Sequence, residues 1–236
     1  MTSQTQSSVR HELVHAAVGL LDEHGPDALQ TRKVAGAAGT STMAVYTHFG
    51  GMQPLIAAVA EEGLRQFDAA QTMPLTDDPV ADLVATGAAY RRYAIERPHM
   101  YRLMFGSTSA HGINAPAQNV LTLTVAEIEQ LHPSFAHLVR AVHRSMLAGR
   151  ITVGAANNDA ADAAVVATAA QFWALIHGFV MLELAGYYGA DGAAVAPVLA
   201  AMTRNLLVAL GDSPERVRQS QRSAVAAGRA HETPGT

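Results

Sequence analysis

The sequence predicts an all-α protein, with an N-terminal three-helix helix-turn-helix domain followed by a helical-bundle domain. Three observations predict it. Apolar residues recur at i, i+3, i+4 spacing in segment after segment, and none sustains the alternation of a strand. The 236 residues are alanine-rich and only 6% aromatic, a composition that favours helix. Glycine and proline collect between the periodic segments, where they punctuate helices.

Residues 1–8 are rich in Ser, Thr and Gln and are expected to form a mobile tail. Val9 to His24 reads as the first helix, with Leu13, Ala16, Ala17, Leu20 and Leu21 forming one apolar stripe. Gly25-Pro26 stops it. Two short helices then follow within Thr31 to Leu55. Thr31 is the expected N-cap of the first, which has an apolar face of Val34, Ala35 and Ala38. Gly39 supplies the turn and Ser41 the next cap. In the second helix Val45 and Phe49, four apart, pack inward, and Gly50-Gly51 end it. Helix, short glycine turn, helix is the layout of a helix-turn-helix.

The outer face of that second helix points to function. With Val45 and Phe49 inward, Met43, Ala44 and Thr47 point away, and Tyr46 and His48 lie on the flanks. This short, uncharged face of hydroxyl and methyl groups suits a major groove. Tyr46 and His48 would reach sugar and phosphate from its rim.

The run Gly39-x-Ser41-x-x-x-Val45-Tyr46-x-His48-Phe49-Gly50 resembles the DNA-binding domain of TetR-type transcriptional regulators. The resemblance implies DNA contacts from Thr31, Arg32 and Lys33 of the second helix and from Ser41, Thr42, Met43, Tyr46, Thr47 and His48 of the third. It also marks a departure. The family usually has a lysine just after the glycine pair, touching phosphate, and here that place is Met52. Backbone N–H groups at that helix start can still bind a phosphate. One charged contact fewer implies lower affinity and a shallower salt dependence.

His11-Glu12-Leu13-Val14-His15 matches H-E-x-x-H, in which two histidines four apart share a zinc ion and the glutamate acts as base. It supplies the alternative reading, a zinc-dependent hydrolase. Against it, no third ligand follows at a recognisable spacing, the nearest acidic pair being Glu61-Glu62. Both histidines also lie off the apolar stripe.

Gln53 to Ala70 forms a long bridging helix, with Pro54 in its first turn. The domains expected are therefore a tail at 1–8, the DNA-binding domain at 9–52 and the bridging helix at 53–72. An effector-binding and dimerisation domain at 73–212 and a flexible tail at 213–236 complete the chain. Val80 to Glu96 is helical, and Pro98 starts a short new helix. Gly106 to Pro116 reads as a loop, Ala117 to Leu131 as one helix, Pro133 to Ala148 as another and Ala155 to Asp159 as a turn. Ala160 to Tyr188 is the longest apolar helix, and Val195 to Leu210 is the last of the core.

The stretch Tyr93-Ala94 through Pro98, Tyr101, Met104 and Phe105, with Trp173-Ala174-Leu175-Ile176-His177-Gly178 far behind it, resembles one class of TetR-family C-terminal domain. The candidate pocket residues are Tyr90, Tyr101, Met104, Phe105, His143, Met146, Phe172, Trp173 and His177, since a helical bundle can hold an apolar cavity with a few orienting polar groups. A helix apolar nearly all round needs cover on every side. A homodimer through Ala160–Tyr188 and Val195–Leu210 would supply it, as in TetR-like proteins.

Composition narrows the remaining classes. There is no cysteine, so disulfides and thiolate metal sites are excluded, which fits a reducing cytoplasm. No G-x-S-x-G, phosphate-cradling glycine loop or cysteine nucleophile appears, so neither an enzyme nor a cofactor is expected. The N-terminal residues lack the apolar core of a signal peptide. The best membrane candidate, Phe172 to Gly186, is short and interrupted by His177 and Glu183, so no membrane span is expected. The net charge is −4, and residues 1–51 carry Arg10, Arg32 and Lys33 against Glu12, Asp22, Glu23 and Asp27. Charge alone would not suggest nucleic acid. The partners expected are operator DNA, a small-molecule effector and a second copy of the chain.

Overall fold

The computed structural model describes residues 2–106, 118–154 and 158–232. Its described elements are helical, as predicted. Contacts divide the chain into two units: Met1–Phe67 with Tyr93–Gln118, and Asp68–Arg92 with Asn119–Thr236. The segment after Tyr93 packs with the first unit.

In the first unit α1 (Thr2–His24) buries Leu13, Ala17 and Leu21 on one face. It begins at Thr2, so the expected tail at 1–8 is instead the start of this helix. The sequence there has no helix breaker, and Ser8 donates to Glu12 one turn on at 2.8 Å. α2 (Thr31–Ala37) and α3 (Thr42–Phe49) follow. Gln30, extended at φ −119°, occupies the N-cap position that Thr31 was expected to fill, and Thr31 is the first helical residue. Ser41 stands at the cap of α3, but its hydroxyl makes no capping bond. The turn between them is a Schellman motif. Gly39, at φ 64°, donates to Gly36 O, and Thr40 N–H reaches Ala35 O at 2.9 Å.

α4 (Met52–Gln71), α5 (Pro79–Glu96) and α6 (Pro98–Met104) come next. Phe67, Tyr93, Tyr101 and Phe105 form an aromatic cluster with centroid separations of 4.8–6.3 Å. Tyr93 donates to Gly63 O at 3.1 Å, and burial pushes its phenol up to about 12. Arg97 binds Asp22 at the end of α1 and Gln66 of α4. Gly63 is where α4 and α6 approach closely. A Cβ there would lie 2.9 Å from Met100 Cγ, closer still to its sulfur, and 3.0 Å from the Met104 sulfur. Met100 is fully buried and has little room to yield. Gly63→Ala is therefore expected to lower stability by about 1–2 kcal/mol, overpacking outweighing the helix propensity gained. Thermal unfolding checks this, and a variant as stable as the parent would show that the contact yields.

The second unit is built on α7 (Val125–Leu131), α8 (Pro133–Leu147), α9 (Asn158–Leu184), α10 (Ala201–Ala209) and α11 (Pro214–Glu232). Its core joins Val80 and Leu83 to Phe135, Leu138, Val139 and Val142 of α8 and Val165, Val166, Ala169 and Phe172 of α9.

Four expectations are corrected here. Ala117–Leu131 is not one helix. A 3-10 turn spans Val120–Thr122, and α7 starts afresh where Thr124 and Glu127 form a reciprocal capping box. Within Val195–Leu210 the first turn and a half, Val195–Ala200, takes π spacing around Pro197, which has no N–H to donate. The tail expected from residue 213 onward is largely the helix α11. It buries Val217, Ser220 and Ala224, three and four residues apart. Finally, the apolar helix expected over Ala160–Tyr188 is α9, and it extends the membrane candidate expected over Phe172–Gly186 alone. Its Ala161–Leu184 stretch is long and apolar enough to cross a bilayer by length and composition, whereas no such stretch was expected. Val165, Val166, Ala169 and Phe172 on it pack into the core described above. The expected loop at 106–116 and most of the expected turn at 155–159 lie outside the described residues.

Candidate nucleic-acid interface and effector site

Val45 is the hinge of the first site. It is fully buried, and this fixes which side of α3 faces out. Met43 is 67% exposed and Tyr46 56%, with Thr42 and Thr47 exposed beside them and Ala44 and His48 half-buried. Met43 and Thr47 thus face out as the periodicity predicts, whereas Ala44, expected outward, is half-buried and Tyr46, expected on the flank, is exposed. Phe49 is half-buried, and the Arg10 guanidinium lies over its ring, 4.8 Å from the centroid. Gly50, left-handed at φ 76°, closes the helix.

Arg32 and Lys33 are exposed in the first turn of α2 and make no ion pair among the described residues. Thr31 is half-buried and Ser41 exposed. Cations at a helix start oppose the macrodipole, a small cost that an anion held in front of them would reverse. Two acids of α1 have hydrogen-bond partners, and only for Asp22 is the partner a cation. Arg97 holds Asp22, and Glu12 accepts the Ser8 hydroxyl. His11 and His15 of the H-E-x-x-H match are exposed, their rings 6.4 Å apart. No group of three His, Asp or Glu suited to a metal ion occurs among the described residues.

The second candidate site lies within the second unit. The Trp173 indole N–H donates to the Tyr90 oxygen at 3.2 Å, and that oxygen lies 3.1 Å from His177 Nδ1. With its oxygen accepting from Trp173, Tyr90 directs its own proton to Nδ1, leaving the His177 proton on Nε2. Burial pushes the His177 pKa down, which keeps the ring neutral and suited to that role. Phe135 lies 5.4 Å from the Trp173 ring. One residue along α5, Arg91 grips the buried Glu183 of α9 with two bonds, at 2.8 and 2.6 Å. A largely apolar helix thus carries a fully paired polar track on its α5 side.

The remaining candidates divide. Phe172 is buried in the core of the second unit, and Met146 packs against that core. Tyr101, Met104 and Phe105 belong to the first unit, where both rings join the Phe67 cluster. His143 is exposed on α8. Sequence reasoning did not single out Phe135, Arg91 or Glu183. The only available signal was that Glu183 is an acid inside the longest apolar helix.

These features define a helix-turn-helix protein with a further helical domain. Residues 13–59 match the family model for bacterial regulatory proteins of the tetR family, and residues 83–206 match that for the tetracyclin repressor-like C-terminal domain. The chain belongs to the TetR family and is a DNA-binding transcriptional regulator. Among solved structures it is similar to a Rhodococcus protein of unknown function, at 28% identity over 86% of this chain and 96% of that one, with TM-score 0.64. It shares its fold with RolR in complex with resorcinol, at 16% identity, coverage of 93% and 95%, and TM-score 0.62. A tetR-family transcriptional regulator from Streptomyces coelicolor is similar at 17% identity, coverage of 93% and 89%, and TM-score 0.59. No curated protein matches the sequence.

Proposed function

We propose that this regulator is a cytoplasmic homodimeric repressor without enzymatic activity, released from a palindromic operator by a small-molecule effector. The observation that carries the dimer is the cover missing from α9. Only 44% of its most apolar window is buried within the chain, and Leu182 on α9 and Met202 on α10 stand out at 42% and 37% exposure. A second copy laid against α9 and α10 would bury that surface. Two recognition helices would then present themselves about 34–36 Å apart, one turn of B-DNA.

On DNA, Thr42, Met43 and Thr47 would read base edges and thymine methyls, and Tyr46 and His48 would hold the flanking backbone. Thr31, Arg32, Lys33 and Ser41 would fix the register on phosphates. The effector would bind beside Tyr90, Trp173 and His177, with Phe172 and Met146 close by in the same unit's core. Neutral donors and acceptors in aromatic surroundings favour a compound with an apolar body and one or two hydrogen-bonding groups. Its binding would shift the population toward an arrangement whose recognition helices no longer match the operator spacing.

The test is fluorescence anisotropy on the DNA upstream of the protein's own gene, against a scrambled duplex, across a salt series. Selective binding with two subunits per site is expected. Binding one subunit per site, or no better than to scrambled DNA at any salt, would overturn the dimeric repressor at that site.

A further inference from the structure

Residues 1–64 contain only three Lys or Arg side chains, Arg10, Arg32 and Lys33. Two stand at the start of α2. The third, Arg10, comes from α1 and is held against the far end of the recognition helix. Its guanidinium carbon lies over the ring of Phe49, the last residue of α3, 4.8 Å from the centroid. Phe49 lies three residues after the exposed Tyr46, so the two are neighbours on the helix surface and Arg10 sits at the margin of the reading face. A guanidinium held over an aromatic ring can still offer its N–H donors to another acceptor.

Those donors have no carboxylate partner among the described residues. Glu12 is engaged by Ser8, and Asp22 by Arg97. Glu62 accepts from Arg65 at 2.8 Å and from Gln66 at 2.6 Å, which together with Arg65 lowers its pKa despite partial burial. Arg10 borders a groove with Glu61 and Glu62 but pairs with neither. The chain after Phe49 brings no charge of its own, since Gly50, Gly51, Met52, Gln53 and Pro54 are all neutral. We infer that Arg10, perched on Phe49, is a DNA-backbone contact that takes the phosphate flanking the C-terminal end of the recognition helix. The inference rests on the DNA-binding role of this domain and adds to it a residue outside the helix-turn-helix itself.

A phosphate contact has a signature that a packing role lacks. Neutralising one phosphate contributes about 0.9 to the slope of log affinity against log salt, on any duplex sequence. The experiment compares wild type, Arg10→Gln and Arg10→Lys on the upstream fragment and on a scrambled duplex of equal length, across a KCl series. All slopes are read well below each variant's melting temperature. Arg10→Gln is expected to lower the slope by about 0.9 for each bound subunit on both duplexes, and to weaken binding roughly eightfold per subunit at about 0.1 M salt. Arg10→Lys, which keeps the charge without the planar stack, should retain most of the slope. An Arg10→Gln slope equal to wild type overturns the inference, whether or not affinity falls, because the side chain then acts through packing alone. Wild type failing to bind either duplex at low salt would instead overturn the DNA-binding role, and the inference with it.

Discussion

Arg150→Ala should destabilise the second unit by about 3–5 kcal/mol, because it strands a buried carboxylate. Arg150 follows α8 and binds three partners from distant parts of the sequence. It donates to both oxygens of Asp212 at 2.8–3.1 Å, to Asp78 Oδ1 at 2.8 Å and to the Ser220 hydroxyl at 3.0 Å. Asp212, ahead of α11, has no exposed side-chain surface. Its other cation, Arg216, lies at 3.0 Å but is half exposed, so it compensates only in part. Burial and five hydrogen bonds from one guanidinium place this network above the surface ion pairs of the chain, such as Arg218–Glu215, which contribute little. Denaturant unfolding measures the loss. Arg150→Met combined with Asp212→Leu should recover most of it, since a buried pair costs least when both charges leave together. If Arg150→Ala unfolds within 1 kcal/mol of the parent, by the scale of exposed pairs, solvent reaches Asp212 and the network is not a staple.

The same network predicts an acid limit. Burial pushes the Asp78 carboxyl up, but the Ser220 hydroxyl, the Ala81 N–H and Arg150 together outweigh it and hold its pKa below the ordinary 3.8. A carboxyl with a depressed folded pKa contributes its full stability above the ordinary value and loses it as the pH falls through the folded one. Stability should therefore decline below about pH 4. The decline should be shallower in Asp78→Asn, as pH-dependent melting would record.

How much of this was legible in the sequence depends on the range of the interaction. The helix-turn-helix is written locally: Val45 and Phe49 four apart, Gly39 where φ is positive, and Gly50 where the helix must stop. Tyr90, Trp173 and His177 were three of nine pocket candidates chosen by residue type, and their mutual hydrogen bonds, which join residues more than 80 apart, were not legible. His143 shows the limit of that approach. It falls just outside the stripe of Phe135, Leu138, Val139 and Val142 that α8 buries, and its chemistry alone did not reveal this. Arg97 with Asp22 and Arg150 with Asp212 join residues 75 and 62 apart, and nothing in either neighbourhood specifies the partner. α11 was misread because its buried face is Val217, Ser220 and Ala224, small residues whose period is masked by the arginines between them.

Tyr46→Ala should weaken operator binding about tenfold or more per subunit while leaving stability unchanged. The two effects separate because of where the side chain lies. At 56% exposure Tyr46 gives little to the core, and exposed substitutions of this kind usually stay within about 0.5 kcal/mol in stability. Its neighbour Val45 is the converse case. It is fully buried, so Val45→Ala should cost stability first and DNA binding only through the loss of folded domain. A backbone or base-edge contact is worth roughly 1–3 kcal/mol of binding, and a dimer would lose it twice. Anisotropy on the upstream fragment, melting temperature and size-exclusion elution of Tyr46→Ala and Val45→Ala distinguish the cases. Tyr46→Ala should bind weakly yet melt and elute as wild type. If it binds DNA as tightly as wild type, the reading face of α3 is turned away from the groove, and the contacts assigned to Met43 and Thr47 go with it.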